Sequence, residues 1–97
     1  MDELKSSDYQ WDYVTADRIL GKGPCEVLYA NLVPSGASTV NYLKDGVDTN
    51  GVTIVCLECA VVTNLEFKPP KPFYCSQGLW VDIGTGTTAI LVQWRKL

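Results

Sequence analysis

Leu79-Trp80-Val81-Asp82-Ile83-Gly84-Thr85-Gly86-Thr87-Thr88-Ala89-Ile90-Leu91-Val92-Gln93-Trp94 is the stretch on which the fold turns. Its centre, Ile83 to Ala89, imitates the Gly-x-Gly-x-x-Ala fingerprint of dinucleotide-binding folds. That fingerprint works only where a helix follows, so that the first N–H groups of the helix meet a pyrophosphate. Only eight residues follow Ala89, and they alternate like a strand. A βαβ unit has no room. The stretch reads instead as two strands, 79–83 and 88–94, joined into a hairpin by Gly84-Thr85-Gly86-Thr87 and closing an all-β domain.

Upstream the same grammar recurs. Val, Ile and Thr run through the chain, and Gly, Pro, Asn and Asp break it every 8 to 12 residues or so, the spacing of short antiparallel strands. Residues 11–20 read as a first strand, stopped by Gly21-Lys22-Gly23-Pro24. Cys25 to Val33 reads as a second, ended by Pro34-Ser35-Gly36, and 38–44 as a third, ended by Asp45-Gly46. Asp48-Thr49-Asn50-Gly51 is a turn, because Asn-Gly tolerates positive φ. The apolar stretch Val52 to Val62 follows, polarised on neither face, which implies that something beyond the domain covers one of them. Pro69, Pro70 and Pro72 then mark a rigid crossover between sheets, since proline cannot donate to a central ladder. Six to eight strands in 97 residues predict a single-domain two-layer antiparallel β-sandwich, jelly-roll-like or immunoglobulin-like. Residues 1–10 read as an extended N-terminal arm and 11–97 as the sandwich.

Composition narrows the function classes. At 46% hydrophobic and 20% charged, the chain can build a core. A formal charge of −3 with eight Lys plus Arg argues against nucleic acid as a partner. No apolar run approaches the about 18 residues of a spanning helix, so no membrane partner is expected either. The start Met1-Asp2-Glu3-Leu4-Lys5-Ser6-Ser7 lacks the basic and apolar regions of a secretory signal, which predicts a reducing cytoplasm and four free thiols.

Four patterns suggest chemistry, and each has a plainer reading. Cys56-Leu57-Glu58-Cys59 would need a second Cys pair to hold zinc, whereas Cys25 and Cys75 stand alone. In a strand, positions 56 and 59 face opposite ways, so the four cysteines read as separate, partly buried thiols. A disulfide between distant strands is the other reading. Asp45 to Gly51 is oxygen-rich, but with Gly51 at the sixth EF-hand position the first and twelfth are Gly46 and Leu57, where carboxylates are required. Asp17, Glu26 and Asp82 are carboxylates that no motif ties to one cleft. The sequence contains no histidine and no nucleophile elbow. No catalytic residue, metal ligand or cofactor is expected, and the chain reads as a non-enzyme.

Tyr9, Trp11 and Tyr13 alternate, so an extended chain presents three rings on one face. They either pack on their own sandwich or form an interface strip, where Tyr and Trp are enriched. Trp80 and Trp94 alternate with aliphatic residues and read as core.

One ordered set of motifs goes beyond a generic sandwich. Gly23-Pro24-Cys25-Glu26-Val27-Leu28-Tyr29-Ala30 precedes Val40-Asn41-Tyr42-Leu43-Lys44-Asp45-Gly46, then Phe67-Lys68-Pro69, then Gly78-Leu79-Trp80-Val81, then the final Gly84-Thr85-Gly86-Thr87 to Val92-Gln93-Trp94 unit. This order, over about residues 20–95, resembles small virion structural proteins of tailed bacteriophages. The resemblance implies a capsid decoration (cement) protein, made in the host cytoplasm and carried on the virion. Its expected partners are the major capsid protein or other virion proteins and its own copies, as a homo-oligomer. A carbohydrate- or receptor-binding module of a phage tail or adhesin is the alternative.

Overall fold

The computed structural model describes residues 9–36, 38–60 and 62–97. Every regular element in them is a strand: β1 (Gln10–Val14), β2 (Arg18–Lys22), β3 (Cys25–Pro34), β4 (Thr39–Asp45), β5 (Val52–Cys59), β6 (Leu65–Phe67), β7 (Phe73–Cys75), β8 (Gly78–Asp82) and β9 (Thr87–Lys96). They form two antiparallel sheets packed as a sandwich. The first runs β1-β9-β3, with β6 and β7 sharing the far edge of β3, and the second runs β2-β8-β4-β5.

The order has a simple generator. β1 pairs with β9, β2 with β8, β3 with β6 and β7, and β4 with β5, as in one long hairpin whose tip is the 46–51 turn. Rolling that hairpin up sends its successive strand pairs to alternate sheets, and the β3–β9 and β4–β8 ladders seal the roll. This is the jelly-roll order.

Alternation then builds the core. β4, β8 and β9 send Leu43, Leu79, Val81, Ile90 and Val92 inward, all fully buried. Burying each such side chain is worth about 1.5–3 kcal/mol. In β3 the inward set changes phase, from Cys25 and Val27 to Ala30 and Leu32. The register slips between Val27 and Tyr29 against β9. One extra residue there is a bulge, and it turns Tyr29 and Asn31 to the outer face.

Four sequence expectations need correction. Residues 11–20 are not one strand: β1 lies in the first sheet and β2 in the second. The corner between them is pinned where the Ile83 N–H donates to Asp17 Oδ1 at 2.7 Å. Residues 79–94 are not a hairpin, because β8 pairs with β2 and β4 while β9 pairs with β1 and β3. The chain steps between sheets at Gly84, where a Cβ would collide with the Val40 carbonyl. Gly86 follows with φ of 84°, and its carbonyl accepts the Ser35 and Gly36 N–H groups. The proline loop does not cross between sheets, since β6 and β7 both line β3. Trp80 is not in the core, because Leu79 and Val81 hold the inward positions beside it. The arm boundary drawn at residue 10 falls on the first residue of β1, and residues 1–8 lie outside the described residues.

Candidate functional site

The outer face of the first sheet gathers the aromatic residues. β1 sends Gln10, Asp12 and Val14 toward the interior side, opposite Trp94, Val92 and Ile90. Asp12 is held there by the Trp94 indole N–H, which donates to Oδ2 at 2.7 Å, and by Arg18 at 3.0 Å. Alternation leaves Trp11 and Tyr13 pointing out, opposite Gln93 and Leu91.

Tyr9, Trp11 and Tyr13 therefore share a side, and their surroundings differ. Tyr9 is only 6% exposed. The Arg95 guanidinium lies 5.3 Å from its ring centroid, and its hydroxyl donates to Glu26 Oε1 at 2.9 Å. Arg95 Nε donates to the same oxygen at 2.7 Å, so one carboxylate locks both partners. Trp11 and Tyr13 stay 53% and 56% exposed. Trp11 meets Tyr29 edge to face, with ring centroids 5.8 Å apart. Tyr29 is fixed in turn: its hydroxyl donates to Glu66 Oε2 at 2.8 Å and accepts from Asn31 Nδ2 at 3.0 Å. Burial, and then the Glu66 carboxylate, push the Tyr29 hydroxyl above its ordinary pKa, so it remains a donor. The result is two presented rings on a braced polar floor.

The other sequence candidates have structural positions. Cys56 is exposed on β5, while Cys59 faces the core and donates to the Thr63 carbonyl at 3.4 Å, so the two do face opposite ways. Cys25 and Cys75 are fully buried. Among the described residues, no group of three or more Cys, Asp or Glu is placed to hold a metal ion. Around Asp45 to Gly51 the polar groups satisfy one another. Asp48 Oδ1 accepts the Asn50 N–H at 2.8 Å, and Lys44 Nζ donates to the Thr49 carbonyl at 2.8 Å. Asp45 itself turns away to accept the Ser76 and Gln77 N–H groups at 3.0 and 2.7 Å. Pro69 to Tyr74 line an open apolar groove of about 370 Å³. In Val52 to Val62, Leu57 and Cys59 face the core, whereas Val52 and Cys56 are exposed and Val61 lies outside the described residues.

Sequence reasoning missed the bracing residues. Glu26 and Arg95 meet as direct partners in the β3–β9 ladder, whereas Asn31 and Tyr29 reach Glu66 on the outer face because of the β3 bulge. For Glu26, Glu66 and Arg95 the one signal is a charge at an outward strand position, and most such charges simply face water; Asn31 has no such signal. Comparison with protein-family models, with curated proteins and with solved structures finds no match for this chain.

Proposed function

We propose that this chain is a non-enzymatic virion structural protein, a capsid decoration protein that docks on its shell through the outer face of the first sheet. The observation that carries the reading is the pair of half-exposed rings, Trp11 and Tyr13, on a face where Tyr9 and Tyr29 are hydrogen-bonded in place and Tyr74, opposite Glu26, is a third exposed ring. A large aromatic side chain presents roughly 150–250 Å². With about half of that still available, each ring offers roughly 2–3 kcal/mol on burial, the size of a binding hot spot. A braced floor lowers the ordering cost of docking. Repetition over a symmetric shell then multiplies modest contacts into firm attachment. The class of partner comes from the motif order described above, and the jelly roll is an architecture that capsid and lectin domains share.

The lectin side of that pair gives the second reading. Trp11 and Tyr13 are two residues apart, roughly 7 Å along the strand, and exposed aromatic rings on one face are the feature a sugar-binding surface requires. One experiment separates the two. Shells are assembled from a major capsid protein of the same genome, without the chain itself, and mixed with wild type and the Trp11→Ala/Tyr13→Ala double variant. Wild type should bind, and the variant should keep its thermal transition and lose at least about 100-fold in affinity. Unchanged binding by the variant refutes the assigned face. Flanking genes that are metabolic refute the virion reading, and capture on a glycan array without shell binding favours the lectin.

A further inference from the structure

Cys25 and Cys75 are separated by half the chain, yet β3 and β7 place them directly opposite each other as ladder partners. Directly opposed residues of an antiparallel pair lie on the same face, with Cα atoms about 4.5–5.5 Å apart. A disulfide spans Cα separations of about 4.4–6.8 Å. Both side chains point into the same end of the core and neither has any exposed surface. The pair sits beneath Gly21 and beside Trp94, whose ring leaves no room for a Cβ at Gly21. The Cys25 thiol donates to the Gly23 carbonyl at 3.2 Å, and its sulfur lies 3.7 Å from that same Gly21 Cβ position.

We infer that Cys25 and Cys75 are a modification site, a dithiol that closes to a disulfide on reaction with a small-molecule disulfide and so staples β7 to β3. One thiol, as thiolate, attacks a sulfur of glutathione disulfide and releases one glutathione thiolate. The second cysteine thiolate then attacks the mixed disulfide at the protein sulfur and releases the other. Two protein thiols lose two protons and two electrons, and one glutathione disulfide becomes two glutathione thiols.

Burial sets the kinetics. It raises both thiols above the ordinary range, Cys75 to about 12, so the closed native state holds little thiolate. Access comes from β7. That strand has three residues, pairs only with β3 among the described strands, and leaves Phe73 and Tyr74 partly exposed. Such an edge opens locally at a fraction of the cost of global unfolding. Reduced protein is therefore slow to oxidise while folded and closes readily once β7 frays. This inference does not depend on what the aromatic face binds.

The test equilibrates the full chain with glutathione disulfide, with and without a sub-denaturing concentration of urea. Remaining thiols are then alkylated under denaturing conditions, and intact mass and linked peptides are read. The expected result is two alkyl groups fewer than in the reduced control, one peptide joining Cys25 to Cys75, and faster closure in urea. Closing a loop of about 50 residues should raise the melting temperature by roughly 10 °C or more, reversibly with dithiothreitol. Cys56→Ser should close as wild type does, while Cys25→Ser and Cys75→Ser should not. The wild-type peptide map decides the matter should either core variant fail to fold. Alkylation at both cysteines after equilibration, a link to Cys56 or Cys59, or a linked protein that melts no higher would each overturn the inference.

Discussion

Replacing Asn41 with alanine tests how the two sheets are held in register. Asn41 is fully buried on β4, at an inward position of a strand whose other inward residues include Thr39 and Leu43. Its amide uses all of its principal bonding capacity. Nδ2 donates to Thr39 Oγ1 at 3.1 Å and to the Leu57 carbonyl at 3.2 Å. Oδ1 accepts the Gly84 N–H at 2.7 Å and the Thr87 hydroxyl at 2.9 Å. Thr39 and Thr87 bond each other, which closes a ring of three side chains. Asn41→Ala leaves the Thr39–Thr87 pair intact but orphans the Leu57 carbonyl and the Gly84 N–H. Each orphan costs about 1–3 kcal/mol, and the sum comes to about 3 kcal/mol once partial access of water at Gly84 is allowed for. For a domain with a stability of about 5–15 kcal/mol, that loss is severe without abolishing the fold. Urea unfolding is the assay. With a slope of about 1 kcal/mol per molar, the midpoint should fall by roughly 2–3 M at unchanged slope. Asn41→Asp adds a signature. Burial raises the folded carboxyl above its unfolded value, so this variant should be most stable in acid and lose stability as pH rises through the raised folded pKa. A midpoint shift below about 0.5 M for alanine, or an aspartate variant without that slope, refutes the reasoning.

Two further outcomes rest on separate features. Burial pushes the Asp45 carboxyl upward, but hydrogen bonds from Gln77, Ser76 and Gly78 outweigh it and hold the group below its usual range. Its contribution to stability is therefore present above the unfolded pKa and lost as pH falls through the folded one, so the stability gap between wild type and Asp45→Ala should shrink from about pH 6 to pH 2. A constant gap in thermal unfolding contradicts this. Gly21→Ala would set a Cβ 2.6 and 2.7 Å from two Trp94 ring atoms, overpacking a buried indole. A loss of about 1–3 kcal/mol with altered tryptophan fluorescence should follow, and an unperturbed variant would show that the ring moves freely.

The legible part of the fold was what period-two alternation carries. β3 and β4 could be placed to within a residue or two, because each is an alternating run closed by a turn residue. The sheet to which a strand belongs is not encoded that way. Residues 11–20 look continuous since Thr15 to Asp17 are as compatible with extended chain as their neighbours, and the break exists because Asp17 reaches the end of β8. Gly84 to Thr87 would have the same composition whether the chain doubled back or stepped across. The deciding contact, Gly84 to Asn41, spans more than 40 residues. Of the aromatic strip, the alternation of Tyr9, Trp11 and Tyr13 was readable, whereas the burial of Tyr9 depends on Arg95 and Glu26, which meet only through the β3–β9 register.

Both outer faces carry aromatic and charged side chains, and on each a cation is paired with a carboxylate and a tyrosine ring of its own face. On the second sheet Lys44 sits 3.4 Å from Asp82 and 5.5 Å from the centroid of the Tyr42 ring, so the cation is already satisfied by its own face. On the first sheet Arg95 is paired in the same way, with Glu26 and the Tyr9 ring, and Trp11 rests edge to face on Tyr29. A partner covering Trp11 and Tyr13 buries apolar surface without stripping an unpaired charge of water, which keeps the desolvation cost low. The position on β1 adds reach. Among the described strands β1 pairs only with β9, so its other edge has no strand partner, and Trp11 and Tyr13 stand on the sheet face next to that open edge.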